Sequence, residues 1–414
     1  IGGMISRLNK KLDSLSDNLK RDNLTKLFNQ STFNDNFKQQ LALGQSGYAA
    51  FIKFDELAQI TKDHGNQAVD ELLITFATLL DSLRRDGLTS YRLYGSEFAL
   101  LCPTLDNTSM TGLAEELQKS ISELALSYRI EDLVHIGIAR YDRTSEFNKL
   151  TPAMMEAYEQ AKNIGNNAFF IKEEIVTSMT ELEWKAAIVA SIDNNTPEVT
   201  FTAQAYNHQG SSPVKVMEEA FTVVKDSDGN ALSIGTFFSM AQVFGLVEDL
   251  DKCIVNKIIN SMESTQHSTP VTINLSMVSV SSESFRSWLK ARMELSTLKH
   301  ELLAFSVTAY SAAKDLTEFA NFSIFVKSFG ATTLLKRYSS DIIAVDMLKD
   351  LHIDYVRLAI DLTSDIRGNA SKADFLEILQ EASALLEIKV LAEGVTADVD
   401  FEAVKKSGLF GISR

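Results

Sequence analysis

The chain has 414 residues, 45% of them apolar, and a formal net charge of −15 with a pI near 5.0. That length predicts two domains with packed cores and room for a short third element. The acidic balance, without a Lys/Arg-rich block, speaks against wholesale binding to nucleic acid or anionic lipid, which needs a basic footprint. It leaves open a local basic pocket for one small anion. The two cysteines, Cys102 and Cys253, are too few and too far apart for a disulfide framework and suit a reducing compartment. No uninterrupted apolar run reaches the roughly 18 residues that a membrane span needs.

In chain order, Ile5, Leu8, Leu12, Leu15 and Leu19 come first, at alternating spacings of three and four. This is an a/d seam, and it predicts a parallel dimeric coiled coil over residues 1–20. The same spacing also suits a helix packed on its own domain. Over residues 21–172, helix and strand patterns alternate. Strands are expected at Tyr48–Phe54 and His135–Ala139, a hairpin at Tyr91–Leu93 and Phe98–Leu101, and helices at Gly65–Arg85 and Pro152–Ile164. A mixed α/β domain with a central, mostly antiparallel sheet follows.

A polar helical stretch, Met179–Ile192, leads into residues 173–414. There, strands are expected at Val199–Tyr206, Val271–Leu275, Leu302–Ala309, Phe322–Val326, Tyr355–Ile360 and Ile388–Glu393. Strand–helix repetition over this length predicts a (β/α)8 barrel, whose active groups sit at the C-terminal ends of strands.

Three stretches of the first region carry a resemblance. Asp22 to Gln30 resembles the entry motif of GGDEF cyclase domains. Phe54-Asp55 through Gly65 to Asp70 resembles their first-strand motif. Tyr94, Gly95, Ser96, Glu97 and Phe98 stand where the family has Gly-Gly-Asp/Glu-Glu-Phe. Cyclase chemistry needs two magnesium ions held by hard oxygen ligands. The resemblance implies that Lys53 replaces one ligand and Ser96 another. Thr61 replaces a guanine-reading Asn, while Asp70 keeps the second guanine contact. The inhibitory Arg-x-x-Asp site reads Arg85-Asp86-Gly87-Leu88, without its acid. The module is therefore expected to lack cyclase activity and to serve packing and dimerisation.

Five stretches of the second region resemble EAL phosphodiesterases. They are Glu219-Ala220-Phe221, Asn274-Leu275-Ser276, Ser328-Phe329-Gly330, Tyr355-Val356-Arg357 and Ala392-Glu393-Gly394-Val395-Thr396. Hydrolysis in that family uses two metals on carboxylates and one Asn. The resemblance implies that Glu219, Asn274 and Glu393 remain from that ligand set. Ser306 replaces a ligand Glu, Lys327 and Ser328 replace the metal-holding aspartates, Val223 an Arg and Thr396 a supporting Glu. No catalytic residue and no metal are expected. Lys327 and Arg357 are expected to replace the metals as fixed cations for a phosphodiester. With Gln204, Glu219, Asn274, Phe329 and Glu393 they make the expected cyclic-di-GMP site.

A signalling helix, a GGDEF-like module and an EAL-like module in this order resemble the cytoplasmic part of LapD-type receptors. That resemblance implies a bacterial inner-membrane protein, of which this chain is a cytoplasmic fragment. It implies a homodimer that binds cyclic di-GMP without cutting it, with helix and GGDEF module covering the empty pocket. It also implies signalling to a periplasmic cysteine protease that controls a biofilm adhesin. A nucleotide-blind dimerisation scaffold and a GGDEF–EAL regulator of RNA decay are the alternatives; the acidic balance speaks against the second, so no nucleic-acid partner is expected.

Overall fold

A computed structural model describes residues 1–83, 87–175 and 179–414, which form two compact units. One comprises 20–186 together with 235–243, and the other 1–19, 187–234 and 244–414. The N-terminal helix therefore groups with the barrel, and a short piece of barrel sequence groups with the first α/β unit.

The chain begins with helix α1 (Gly2–Lys20). Its stripe faces its own chain: Ile5, Leu8 and Leu12 are 4%, 6% and 0% exposed, and Ser16 below them is buried too. Leu15 and Leu19 are half-buried. This corrects the expected dimer seam, because three of its five leucine and isoleucine positions are already removed from solvent without a second copy. The helix is also tied by polar groups. Asn9 Oδ1 accepts from the Val345 amide at 3.0 Å, and Ser16 Oγ donates to Asp341 at 3.1 Å.

The first unit is built on a five-stranded sheet in the order β2-β3-β1-β4-β5, antiparallel except for the last pair. Its elements are α2 (Gln30–Ala42), β1 (Gly47–Phe54), α3 (Leu57–His64), α4 (Asn66–Ser82), β2 (Thr89–Arg92), β3 (Glu97–Pro103), α5 (Asn107–Ser127), β4 (Val134–Tyr141), α6 (Phe147–Ile164) and β5 (Phe169–Lys172). The expected helix from Gly65 is α4, which starts at Asn66, and Gly65 (φ +89°) separates it from the shorter helix α3 that precedes it. Residues alternate across β1, so the sheet feeds two cores. Tyr48, Ala50, Ile52 and Phe54 meet α4 and α5 residues on one side, while Ala49 and Phe51 meet α2 and α6 residues on the other. Both faces are covered, so the strand is apolar nearly throughout.

Helix α7 (Glu181–Asn194) leads from this unit into the barrel. Trp184, at its start, is fully buried and meets the equally buried Phe237 edge to face, with centroids 6.5 Å apart. That contact seats 235–243 in the first unit.

The barrel elements are β6 (Glu198–Asn207), β7 (Val214–Val223), α8 (Ile234–Val243), α9 (Val247–Ser264), β8 (Val271–Asn274), α10 (Met277–Val280), α11 (Glu283–Leu295), β9 (Leu303–Thr308), α12 (Ala309–Ala312), α13 (Leu316–Lys327), β10 (Thr332–Tyr338), β11 (Tyr355–Leu358), α14 (Ala370–Leu385), β12 (Lys389–Ala392), α15 (Asp398–Lys406) and β13 (Gly411–Ser413). Eight strands close in the order β10-β11-β12-β13-β6-β7-β8-β9; only β6 runs antiparallel to its neighbours. Ala205, Met217, Ala304, Leu334, Tyr355 and Leu391, from six different strands, form one buried cluster in its interior. The expected fold class holds in both regions.

One expected strand is wrong, and it matters below. Phe322–Val326 lies in helix α13, not in a strand. The buried positions Phe319, Phe322, Ser323 and Val326 repeat at three and four residues, and the Asp315 side chain caps the helix by accepting from the Glu318 amide. A run of Phe, Ile and Val suits either element over five residues.

The packing of α6 on β4 gives a direct test. A Cβ on Gly137 would lie 2.2 Å from the Tyr158 amide nitrogen and 2.3 Å from the Met154 carbonyl oxygen, both backbone atoms. Gly137→Ala is expected to destabilise the first unit by about 1–3 kcal/mol, the usual cost of overpacking. Chemical denaturation of the purified variant measures it, and an unchanged midpoint would remove the close approach from consideration.

Candidate functional site

Side chains pointing into a barrel come from every second residue of each strand. Above the apolar cluster the next inward positions are polar: Glu219 on β7, Thr272 and Asn274 on β8, Ser306 on β9, Lys336 on β10 and Arg357 on β11. The register sets them on neighbouring inward positions, Lys336 one inward position beyond the pair of Ser306 with Leu334. Glu219 is paired with Thr272, Asn274 with Ser306, and Lys336 with Thr308.

Glu219 is the centre of this layer and is fully buried. Its Oε1 accepts from Lys336 Nζ and, at 3.0 Å, from Asn274 Nδ2. Its Oε2 accepts from Arg357 Nη1 at 2.9 Å, and Arg357 Nη2 donates to Thr272 Oγ1 at 2.9 Å. Burial alone pushes the Glu219 carboxyl up, but the charges of Lys336 and Arg357 and the hydrogen bonds from Lys336 and Asn274 outweigh it and hold it below its ordinary value. Two cations against one carboxylate leave one positive charge in the layer. Asp251, wholly buried on α9, pins the turn after Asn274. It accepts from Ser276 Oγ at 2.7 Å and Ser279 Oγ at 2.6 Å, and burial pushes it up to about 6.

Of the expected site residues, the structure joins Glu219, Asn274 and Arg357. It does not bring in Lys327 and Phe329. Lys327 ends helix α13, half-exposed, 3.7 Å from Asp354, which precedes β11. The Phe329 carbonyl accepts from His300, which precedes β9. Both lie at the N-terminal end of the barrel strands. Four residues of β10, roughly 13 Å at strand rise, separate its first residue from Lys336. The motif frame at Lys327 was therefore set one element too early, and the cation at the strand end is Lys336. Gln204 is exposed in a bulge of β6 and accepts from Tyr206, without a bond to the cluster. Glu393 follows β12, half-buried, and is not bonded to the cluster either. Lys336 and Thr272 escaped the sequence reading. The available signal was Gly330 (φ +90°), a helix stop, followed by Thr332 to Leu335 as a short β-rich run ending in a lysine.

The donor set does not fit a pair of divalent metals. Both oxygens of Glu219 are engaged by cations, and Lys336 points an ammonium at the place where such an ion would sit. Among the described residues no three His, Cys, Asp or Glu side chains converge.

In the first unit, Tyr94, Gly95 and Ser96 form the turn of the β2–β3 hairpin. Gly95 has φ +54°, and its carbonyl accepts from Arg92. Tyr94 is exposed, Phe98 is buried, and Glu97 lies opposite Lys53 on β1. Asp55 is turned inward. Its Oδ2 meets His135 Nδ1 at 2.5 Å and its Oδ1 accepts from the Tyr158 hydroxyl. His135 Nε2 faces the Gly165 carbonyl at 3.0 Å and Asp132 at 3.0 Å, so both ring nitrogens have acceptors, as an imidazolium requires. Thr61 Oγ1 donates back to the Leu57 carbonyl of its own helix. Arg85 and Asp86 lie outside the described residues.

Both regions match known families. A family profile for the EAL domain matches residues 191–412, and one for the diguanylate cyclase GGDEF domain matches 19–168. The cyclic di-GMP phosphodiesterase PdeB of Shewanella oneidensis is 20% identical over 90% of the chain and 45% of its own length. The chain spans about half the length of the curated relatives it matches. The S helix-GGDEF-EAL region of Vibrio cholerae LapD in its apo form superposes with a TM-score of 0.68 at 18% identity, covering 99% of this chain and 98% of that one. The same region bound to c-di-GMP gives 0.54 over 97% of each. At these identities the likeness establishes the fold.

Two expected outcomes follow from the charges. Arg357→Ala leaves Glu219 buried with a lysine as its single charged partner and is expected to cost about 3–5 kcal/mol, the scale of a broken buried pair; urea denaturation at pH 7 measures it. Asp55 is held below its ordinary 3.8 by His135 and Tyr158 despite burial, and His135 above its ordinary 6.5 by Asp55, Gly165 and Asp132 despite burial. The Asp55 contribution to stability is lost as pH falls through its depressed pKa. The His135 contribution is complete below about 6.5 and lost as pH rises through its raised pKa. Melting temperature should thus fall on the alkaline side, and His135→Gln should flatten that limb; parallel profiles would refute the charged histidine.

Proposed function

The chain belongs to the EAL domain family and carries a GGDEF domain ahead of its barrel, and from this we propose that it is a cyclic-di-GMP receptor that does not hydrolyse its ligand. The observation that carries this is the pairing of Glu219 with Lys336 and Arg357. Phosphodiester hydrolysis on this fold requires metals to generate hydroxide and to stabilise the phosphorane. Fixed cations can bind a phosphodiester but supply no hydroxide. The named LapD structure bound to c-di-GMP, of the same domain order, supports the ligand.

The first unit acts in this proposal as a regulatory module without cyclase activity, since Lys53 stands at the first-strand ligand position and Asp55 is spent on His135 and Tyr158. Helix α1 is the restraint. It binds the segment following β10, the strand of Lys336, through Asn9 and Ser16. A ligand shifts such a balance only by its differential affinity for the restrained and released states. In the full-length protein, release would be relayed as a homodimer across the inner membrane to a periplasmic cysteine protease, controlling adhesin proteolysis and biofilm. A nucleotide-blind scaffold is the second reading, favoured because Glu219 already neutralises one of the two cations.

Calorimetric titration of the whole chain with cyclic di-GMP tests the proposal, alongside chromatography after incubation with Mg²⁺ or Mn²⁺. Binding with no linear product is expected. Hydrolysis would overturn it, and no heat with any cyclic dinucleotide would identify the scaffold. The Asn9→Ala, Ser16→Ala double variant should bind several-fold more tightly if α1 restrains the barrel.

A further inference from the structure

The two cations of the barrel layer are not equivalent. Arg357 is buried, 2% exposed, and gives one donor each to Glu219 Oε2 and Thr272 Oγ1, so burial withholds its remaining N–H groups from an incoming ligand. Lys336 is partly exposed, its side chain 15% accessible, and its only hydrogen bond among the described residues is to Glu219 Oε1. An ammonium has three N–H donors, so Lys336 keeps two for an incoming group. On the neighbouring strand, the Ser306 hydroxyl is buried and has no hydrogen-bond partner among the described residues. Ser306 shares the inward parity of Ala304 and Leu334 and lies two residues before Thr308, which is paired with Lys336. A buried hydroxyl without a partner costs free energy that a ligand oxygen would recover.

We infer that Lys336 and Ser306 form the seat for a single phosphodiester oxygen, and that Glu219 is a built-in counter-anion which weakens that seat. This rests on the receptor reading and deepens it. Arg357 serves to keep Glu219 ionised in the barrel rather than to touch the ligand. Glu219 competes with the phosphate for Lys336, so the retained acid of the motif limits affinity instead of promoting chemistry. The layer's single excess charge matches the single negative charge of a phosphodiester.

The test is calorimetric titration of the full chain with cyclic di-GMP, with the ligand-free melting temperature of each variant recorded beside it. Lys336→Met leaves Glu219 paired with Arg357 and should weaken binding by roughly 10- to 100-fold, the scale of a charged hydrogen bond. Ser306→Ala should weaken it about 3- to 10-fold, as for a neutral hydrogen bond, without lowering the ligand-free melting temperature. Glu219→Gln, where it melts cooperatively, should bind several-fold more tightly and with a steeper salt dependence. Binding by Lys336→Met or Ser306→Ala equal to that of the unmodified chain overturns the seat, and weaker binding by a folded Glu219→Gln overturns the counter-anion. If Glu219→Gln does not fold, the first two variants decide. Absence of binding by the unmodified chain overturns the receptor reading itself, a result distinct from any of these.

Discussion

A carboxylate sealed inside a barrel must be compensated or give up its charge, and Glu219 is compensated twice over. Arg357 takes one oxygen and Lys336 with Asn274 the other. Glu219 and these partners sit on β7, β8, β10 and β11, so one charge constraint stitches half the barrel's strands together. Thr272 closes the set by accepting the second donor of Arg357. The arrangement is high in stakes, because the low dielectric that strengthens each contact also makes any unpaired member costly.

The first unit solves the same problem in its own way. Asp55, next to the end of β1, is not left facing solvent as a ligand; it is held by His135 and Tyr158, with Asp132 and the Gly165 carbonyl completing the imidazole's surroundings. In both units an acid of a motif that resembles a metal site has been turned into an internal ion-pair partner. His135 stands on β4, beside the strand that leads to Asp55, whereas Lys336 and Arg357 stand three and four strands from β7 and reach Glu219 across the closed barrel.

The misplaced frame at Lys327 shows where sequence reasoning ran out. Phe329-Gly330 matched two letters of an expected motif, and the run from Phe322 to Val326 had the composition of a strand. In fact α13 ends there and Gly330 turns the chain into β10. A motif of this kind has meaning only at the C-terminal end of a strand, and short apolar runs do not reveal which element they form. Asn274 and Arg357 were legible because they stood in expected strands, and Glu219 through its resemblance to the family motif, since its strand β7 was not among those expected. Lys336 was not, because an isolated lysine after an apolar run looks like any solvated strand end. The seam of α1 was legible as a pattern but not as a partnership, since period 3.5 says which face is apolar and not what covers it.

The sequence by itself determined the order of modules, the α/β sheet, the barrel and, through motif resemblance, a Glu, an Asn and an Arg of the barrel site, because periodicity, turn residues and short motifs are local properties. Tertiary structure alone decided which cation meets Glu219, that Ser306 is buried without a partner among the described residues, and that α1 packs within the chain. Those depend on strand register around a closed barrel, where residues more than a hundred positions apart come within hydrogen-bond distance, and no local pattern encodes that distance.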